Sequence, residues 1–260
     1  MSDLLYHVKR TIIRYDEDPS GATRDVDILG TFTDLAAAKA AANAGLASEG
    51  YLKSDFDIYE QKSETPAEEW KRGDGIMVFA KAPAGQQFEV GLDTEVNAAG
   101  FKGNEQGEVE GFLHYVLQTT INYNTDRTGA SQLTQVEGTF PTRALAFSAA
   151  LTTLLDDEVT RESFAEYDVK EDFVGEWPYG EDCLVHAVGM TGENFLVRVK
   201  PQPKAHKRGC KKHELHGGKA CAAKHEGEEC KHGECKHEQC GECKKGNCKS
   251  CVHEGCGCAA

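Results

Sequence analysis

The sequence predicts an α+β fold, made of two tandem copies of a β-β-α-β-β-β unit and followed by a Cys/His-rich tail that is disordered on its own. Three observations lead to this prediction. Strings of the first half recur in the second. Each half places one alanine-rich segment among runs of β-branched and aromatic residues. The composition changes near residue 200, because all aromatic side chains precede that point and ten of the eleven cysteines follow it.

Internal repetition is visible as shared strings at equivalent places. The string GTF begins at Gly30 and again at Gly138, and the two tryptophans, Trp70 and Trp177, occupy the same position of the repeat. The aligned halves share roughly 30% of their residues, which two unrelated segments of this length do not do by chance. We therefore expect two copies of one unit, at residues 1–95 and 113–200.

Each element of the unit has its own signal. Residues 5–15 form a β-branched and aromatic run that ends in the turn cluster DEDPSG, after which a second strand is expected near residues 25–30. Thr33 or Asp34 then caps a helix through DLAAAKAAANAGL, which corresponds to PTRALAFSAALTTLL in the second copy. Three further strands complete the unit, near residues 56–62, 75–81 and 87–93.

The segment between the copies, residues 96–112, is Gly-rich and acidic, and this composition predicts a flexible linker. No apolar run is long enough to span a membrane, and the first residues lack the pattern of a secretory signal. We therefore expect a cytoplasmic protein, with the nucleus left open and no membrane partner. The formal net charge of −14 makes nucleic acid an unlikely partner.

The repeat also bears on candidate catalytic residues of the body, residues 1–200. Cys183 stands where the first copy has Ile76, and His186 stands where it has Phe79. A residue that exchanges with an apolar one is expected to pack rather than to react. The sequence contains no Gly-rich phosphate loop, nucleophile elbow or HExxH motif. We therefore expect no enzymatic activity and no catalytic residues.

Other aromatic and imidazole side chains of the body follow the same reasoning. His7 and His114 exchange with tyrosines between the copies, which again favours packing. Trp70 and Trp177 are expected to anchor the core of each unit, with stacking on a ligand as the alternative.

The tail, residues 201–260, lacks the apolar residues needed to offset the entropy of ordering it. Its cysteines are spaced as C-x4-C steps, two C-x2-C pairs and a final C-x-C, with histidines interleaved. Thiolate is a soft ligand for Zn²⁺ and Cu⁺, and imidazole can complete a tetrahedral site. The candidate metal ligands are Cys210, Cys221, Cys230, Cys235, Cys240, Cys243, Cys248, Cys251, Cys256, Cys258, His225, His232, His237 and His253.

On this cysteine density, these spacings, the Lys/Gly spacers and the absence of aromatics, residues 210–258 resemble a metallothionein. The resemblance implies binding of several Zn²⁺ or Cu⁺ ions in thiolate clusters, with a role in metal buffering or detoxification. Histidines are more frequent than in familiar metallothioneins, which favours Zn²⁺. The duplicated body is then expected to be a carrier or a protein-interaction platform.

Several alternatives for the tail stay open. Cys240, Cys243, Cys248 and His253 give C-x2-C-x4-C-x4-H, which is close to a zinc knuckle. The protein could then be an adaptor whose tail holds one or two structural zinc ions while its body binds a partner. A copper-responsive regulator or a metallochaperone is a related alternative. A disulfide-linked secreted tail and a tail with incidental cysteines are the remaining ones.

Overall fold

A computed structural model describes residues 2–203 of the chain. The first five strands are β1 (Leu4–Ile13), β2 (Arg24–Phe32), β3 (Ile58–Gln61), β4 (Ile76–Lys81) and β5 (Gln87–Val96). The next five are β6 (His114–Asn122), β7 (Gln132–Phe140), β8 (Phe164–Val169), β9 (Cys183–Gly189) and β10 (Glu193–Pro201). The α-helices are α1 (Leu35–Asn43), α2 (Gly45–Ser48) and α3 (Arg143–Ala150).

The strands form two antiparallel five-stranded sheets with the same strand order. The first sheet runs β2-β1-β5-β4-β3 and the second runs β7-β6-β10-β9-β8. The prediction of antiparallel sheets is confirmed. The strands contain more residues than the short helices do, so this part of the protein is β-rich. No helix within residues 2–203 is both long enough and apolar enough to cross a membrane.

One helix packs on each sheet and is held there by alanines. The Asp34 carboxylate accepts a hydrogen bond from Ala37 N and so caps α1, while the Thr142 hydroxyl accepts from Leu145 N and caps α3. The buried residues are Ala38 and Ala42 in α1, and Ala146 and Ala150 in α3. Because alanine has a small side chain, each helix can lie close to the sheet. Both helices end before the alanine-rich segments do, at Asn43 and Ala150.

The first hairpin of each sheet closes on the same kind of turn. Gly21 has a φ of 77° and Gly129 a φ of 84°, in the left-handed region that favours glycine. A Cβ at Gly21 would lie 2.7 Å from the Tyr15 ring, and one at Gly129 would lie 3.1 Å from the Tyr123 ring. The tyrosine and glycine shared by the two turns are therefore explained by direct packing.

The two sheets pack on each other through the faces that carry no helix. Side chains alternate along a strand, so Val8 and Ile12 of β1 face α1 while Leu5 faces the second sheet. The second sheet contributes Tyr115, Leu117 and Val136 to the shared apolar cluster, and Leu113, directly before β6, joins them. The described residues therefore form helix, sheet, sheet and helix layers with three apolar clusters between them.

A buried polar relay crosses the same interface. The Glu95 carboxylate can only accept hydrogen bonds, and it lies 3.0 Å from His7 Nε2 and 2.6 Å from the Thr139 hydroxyl. With His7 neutral, its Nδ1 accepts from the Thr31 hydroxyl at 3.0 Å, and the Thr31 oxygen accepts from the Tyr115 hydroxyl at 2.8 Å. Every member of the relay is paired, which is what buried polar groups require.

Two hydrogen bonds between the hairpins are reciprocal. Arg24 Nη2 donates to Ala130 O, and Gln132 Nε2 donates to Ala22 O. Arg24 and Gln132 are equivalent positions of the repeat, as are Ala22 and Ala130. When residue i of one unit contacts residue j of the other and j contacts i, the two units face each other through the same surface.

The segment 96–112, for which the composition predicts a flexible linker, makes contacts with the first sheet. The Asn97 side chain accepts from Phe101 N and donates to Ser2 O and Phe101 O. Val109 is 2% exposed and its N–H donates to Thr31 O. Asparagine turns and one buried valine hold this segment against the first sheet, and the composition alone does not indicate these contacts.

The body also extends past residue 200. Strand β10 runs to Pro201, and Gln202 is 2% exposed, with its Nε2 donating to Leu29 O. Gln202 occupies the repeat position of Glu95, which also bonds across the interface. The remainder of the predicted tail, residues 204–260, lies outside the described residues.

Candidate functional site

The metal ligands predicted from the sequence all fall outside the part of the chain that the structure describes. The ten cysteines and four histidines lie between residues 210 and 258, and the description ends at residue 203. The geometry of residues 2–203 bears on the remaining candidates, which are side chains of the two sheets.

Within residues 2–203, one group of histidine and acidic side chains lies close enough together to share an ion. It consists of Glu166 and Asp168 on β8 and His186 on β9, whose potential ligand atoms all lie within 4.8 Å of one another. Residues two apart on a strand face the same side, which places the two carboxylates together. The antiparallel register then sets Asp168 directly opposite His186.

His186 is held in a fixed orientation from two sides. The residue is 5% exposed, its Nε2 lies 3.1 Å from Asn194 Oδ1 and its Nδ1 lies 3.4 Å from Asp168 Oδ2. Asn194 Nδ2 is directed at Gly192 O, which leaves Oδ1 as the acceptor for an Nε2 proton. The Nδ1 atom of His186 then faces the carboxylates.

Aromatic rings cover this cluster. The Tyr179 ring stacks on the His186 ring with centroids 3.9 Å apart and planes 16° apart. Trp177 packs edge-on against Tyr179 at 4.8 Å and donates from Nε1 to Cys183 O. Burial, followed by the charges of Asp168 and Glu166, raises the pKa of Tyr179. The phenol therefore stays neutral beside two carboxylates.

The equivalent place in the first sheet is built from different residues. Glu60 lies opposite Phe79, as Asp168 lies opposite His186. Arg72, at the repeat position of Tyr179, donates from Nε to Glu60 Oε2 at 2.9 Å, and its guanidinium lies 3.6 Å from the centre of the Phe79 ring. The first copy thus neutralises one carboxylate with an arginine that the second copy lacks.

The packing roles that the sequence predicts for Cys183 and His7 agree with their surroundings. Cys183 is buried and its thiol contacts Val185 O, and His7 is buried within the relay. The two tryptophans differ from core anchors, because both are only half-buried and lie in the loops before β4 and β9.

The cluster at His186 was not predicted from the sequence, because the exchange of His186 with Phe79 indicated packing. Only the simultaneous change of Arg72 to Tyr179 could have indicated the cluster.

We expect Cys183 to resist alkylation in the folded protein. Burial raises the pKa of its thiol to about 11, so at pH 8 it is both protonated and shielded, and only the thiolate reacts. Iodoacetamide treatment of the full chain followed by peptide mass spectrometry should leave the Cys183 peptide unmodified until denaturant is added. Modification of Cys183 under native conditions, at the rate of the denatured chain, would contradict this expectation.

Comparison of the chain with known protein families, curated proteins and solved structures finds no match.

Proposed function

We propose that this protein binds and buffers Zn²⁺ or Cu⁺ through the thiolates of its C-terminal tail, in metal homeostasis or detoxification. The observation that carries the proposal is the run of ten cysteines between residues 210 and 258, at C-x4-C, C-x2-C and C-x-C spacing. Close spacing lets two sulfurs reach one ion across a tight turn, and metal binding supplies the folding energy that an absent apolar core does not.

The composition around the cysteines supports the same function. Lysines beside the thiols lower their pKa and offset the negative charge of a polythiolate cluster. Glycines permit the backbone conformations that wrapping around an ion demands. Histidines 225, 232, 237 and 253 offer further ligands. Ten thiolates and four imidazoles, at four ligands per zinc, would hold about three ions.

For the body we propose a tandem duplication of an α+β unit, at residues 1–95 and 113–200, that acts as a carrier or a protein-interaction platform in the cytoplasm. The repeated strings, the equal strand order of the two sheets and the reciprocal bonds of Arg24 and Gln132 support this interpretation. We propose no catalytic activity for it and no nucleic-acid partner.

A second candidate function rests on the zinc-knuckle spacing of Cys240, Cys243, Cys248 and His253. In that case the tail holds one or two structural zinc ions, and the protein is an adaptor, metallochaperone or regulator. The two functions differ in stoichiometry and in release. A store takes up several ions and yields them to chelators, whereas a structural site holds few and keeps them.

Native mass spectrometry of the zinc-loaded full chain tests both candidates. We expect at least about three Zn²⁺ ions in the intact protein. A variant with serine at all ten tail cysteines should lose these ions, and one with serine only at Cys240, Cys243 and Cys248 should lose a part of them. An intact protein that binds a single zinc, removed entirely by the three-residue substitution, would refute the store and favour the adaptor.

A further inference from the structure

We propose that Glu166, Asp168 and His186 form a binding site for a divalent transition-metal ion on the second sheet. This site lies in the body, goes beyond the proposed function of the tail and does not depend on it. Its ligands would be one imidazole nitrogen and two carboxylate oxygens. The Tyr179 ring would stack beside the imidazole.

The distances suit an ion. Donor atoms on opposite sides of a metal with bonds of about 2.1 Å lie about 4.2 Å apart. The three donor atoms lie within 4.8 Å of one another, so the set must close slightly around an ion, and Glu166 is the exposed member that is free to move. Asp168 and His186 need less adjustment, because the strand register already sets them face to face.

The imidazole is already oriented as a metal ligand. Metal-binding histidines commonly donate their second ring N–H to a neighbouring oxygen, which sets the tautomer and the ring angle. Asn194 Oδ1 provides that acceptor for His186 Nε2 at 3.1 Å. His186 Nδ1 faces an Asp168 oxygen at 3.4 Å, and a cation bound between these two atoms would be held by both.

An independent observation is that the equivalent position of the first sheet holds a positively charged side chain. There the Arg72 guanidinium lies over Phe79 and binds Glu60. In the second sheet an uncharged tyrosine replaces the arginine, and the second carboxylate, Glu166, takes the repeat position of Ile58. Over residues 2–203 no lysine or arginine forms an ion pair with Glu166 or Asp168. The second copy thus gains negative charge and loses its internal cation.

The ligand set also selects the class of ion. Carboxylate and imidazole suit Mn²⁺, Fe²⁺ and Zn²⁺, whereas Cu⁺ prefers the sulfur ligands of which the tail has ten. Mn²⁺ is therefore a suitable probe, because it binds the body site while competing weakly for thiolates. An occupied tail does not obscure it when the tail is first saturated with Cu⁺, which the thiolates take up and for which carboxylates compete weakly.

The test measures free Mn²⁺ by electron paramagnetic resonance during titration of the full chain, with its tail thiolates saturated with Cu⁺. Two variants carry the residues of the first copy, Tyr179→Arg and His186→Phe. The first would supply the guanidinium that the first sheet uses, and the second removes the imidazole. Glu60→Gln is the matched control, because it alters the equivalent carboxylate of the first sheet. Circular dichroism melting shows which variants are folded.

We expect the intact protein to bind one more Mn²⁺ per chain than either variant, or to bind it at least about tenfold more tightly. Glu60→Gln should bind as the intact protein does, and bound Mn²⁺ should broaden the His186 ring resonances. Equal Mn²⁺ binding by the intact protein and a folded Tyr179→Arg variant would overturn the proposal. Unchanged binding in folded His186→Phe would overturn it as well.

Discussion

Leu117→Ala is expected to lower the free energy of unfolding by about 3 kcal/mol. Leu117 lies on β6, is 1% exposed and belongs to the apolar cluster between the two sheets. Truncating it removes apolar contacts and leaves a cavity, since neighbours such as Leu5 and Ile28 are fixed in their own strands. Urea denaturation of the full chain, followed by circular dichroism, measures the change.

Leu133→Ala is the matched control for this substitution. Leu133 lies on the neighbouring strand β7 and is 58% exposed, so its loss should change the unfolding free energy by less than about 0.5 kcal/mol. The half-buried Trp70 and Trp177 report on the first and second sheets. If the shared cluster joins the sheets, Leu117→Ala shifts the unfolding of both together. Equal effects of the two leucine substitutions would show that the sheets do not pack as described.

The elements of each sheet could be predicted because their signals are local. The Asp34 cap, the alanine-rich helices and the glycine turns depend on residues that are close in the chain. The local pattern does not set where the helices end. Helix α1 ends at Asn43 and is followed directly by α2, whereas α3 ends at Ala150. The fully buried alanines at positions 38, 42, 146 and 150 lie against the sheets, so tertiary packing contributes to the helix length.

The packing of one sheet on the other could not be predicted in the same way. Glu95 and Thr139 lie in different sheets and are far apart in the chain, and nothing in their local sequence indicates that they meet. The segment 96–112 has the composition of a linker, and this composition does not indicate the hydrogen bonds of Asn97 or the burial of Val109 that hold it in place. A segment of low hydrophobicity can be ordered by a small number of specific contacts.

The cluster at His186 is signalled partly by residues close in the chain and partly by residues far apart in it. Its carboxylates are two residues apart on β8, but the histidine comes from another strand, so no spacing motif marks the set. The repeat holds a signal that only a joint comparison reveals. His186 alone replaces an apolar ring, whereas Arg72 to Tyr179 and Ile58 to Glu166 together change the local charge. Two exchanges between the copies that together alter the charge at one position indicate a candidate site better than a single exchange does.

Glu95→Ala is the second substitution with a large expected effect, a loss of about 3 kcal/mol in unfolding free energy. The carboxylate accepts from His7 Nε2 and from both the hydroxyl and the backbone N–H of Thr139. Removing it leaves these donors without their acceptor, and each unsatisfied buried donor costs about 1–3 kcal/mol. Partial entry of water at Glu95, which is 19% exposed, limits the total.

A double-mutant cycle separates this relay from a general loss of packing. Glu95→Ala and Thr139→Val are made singly and together, with Glu105→Ala as a control at an exposed carboxylate. If Thr139 depends on the Glu95 carboxylate, the double variant should be at least about 1 kcal/mol more stable than the sum of the single losses predicts. Strict additivity would contradict the relay. Because Thr139 belongs to the second sheet and Glu95 to the first, the coupling measures directly how far a polar network, beside the apolar cluster of Leu117, joins the two copies.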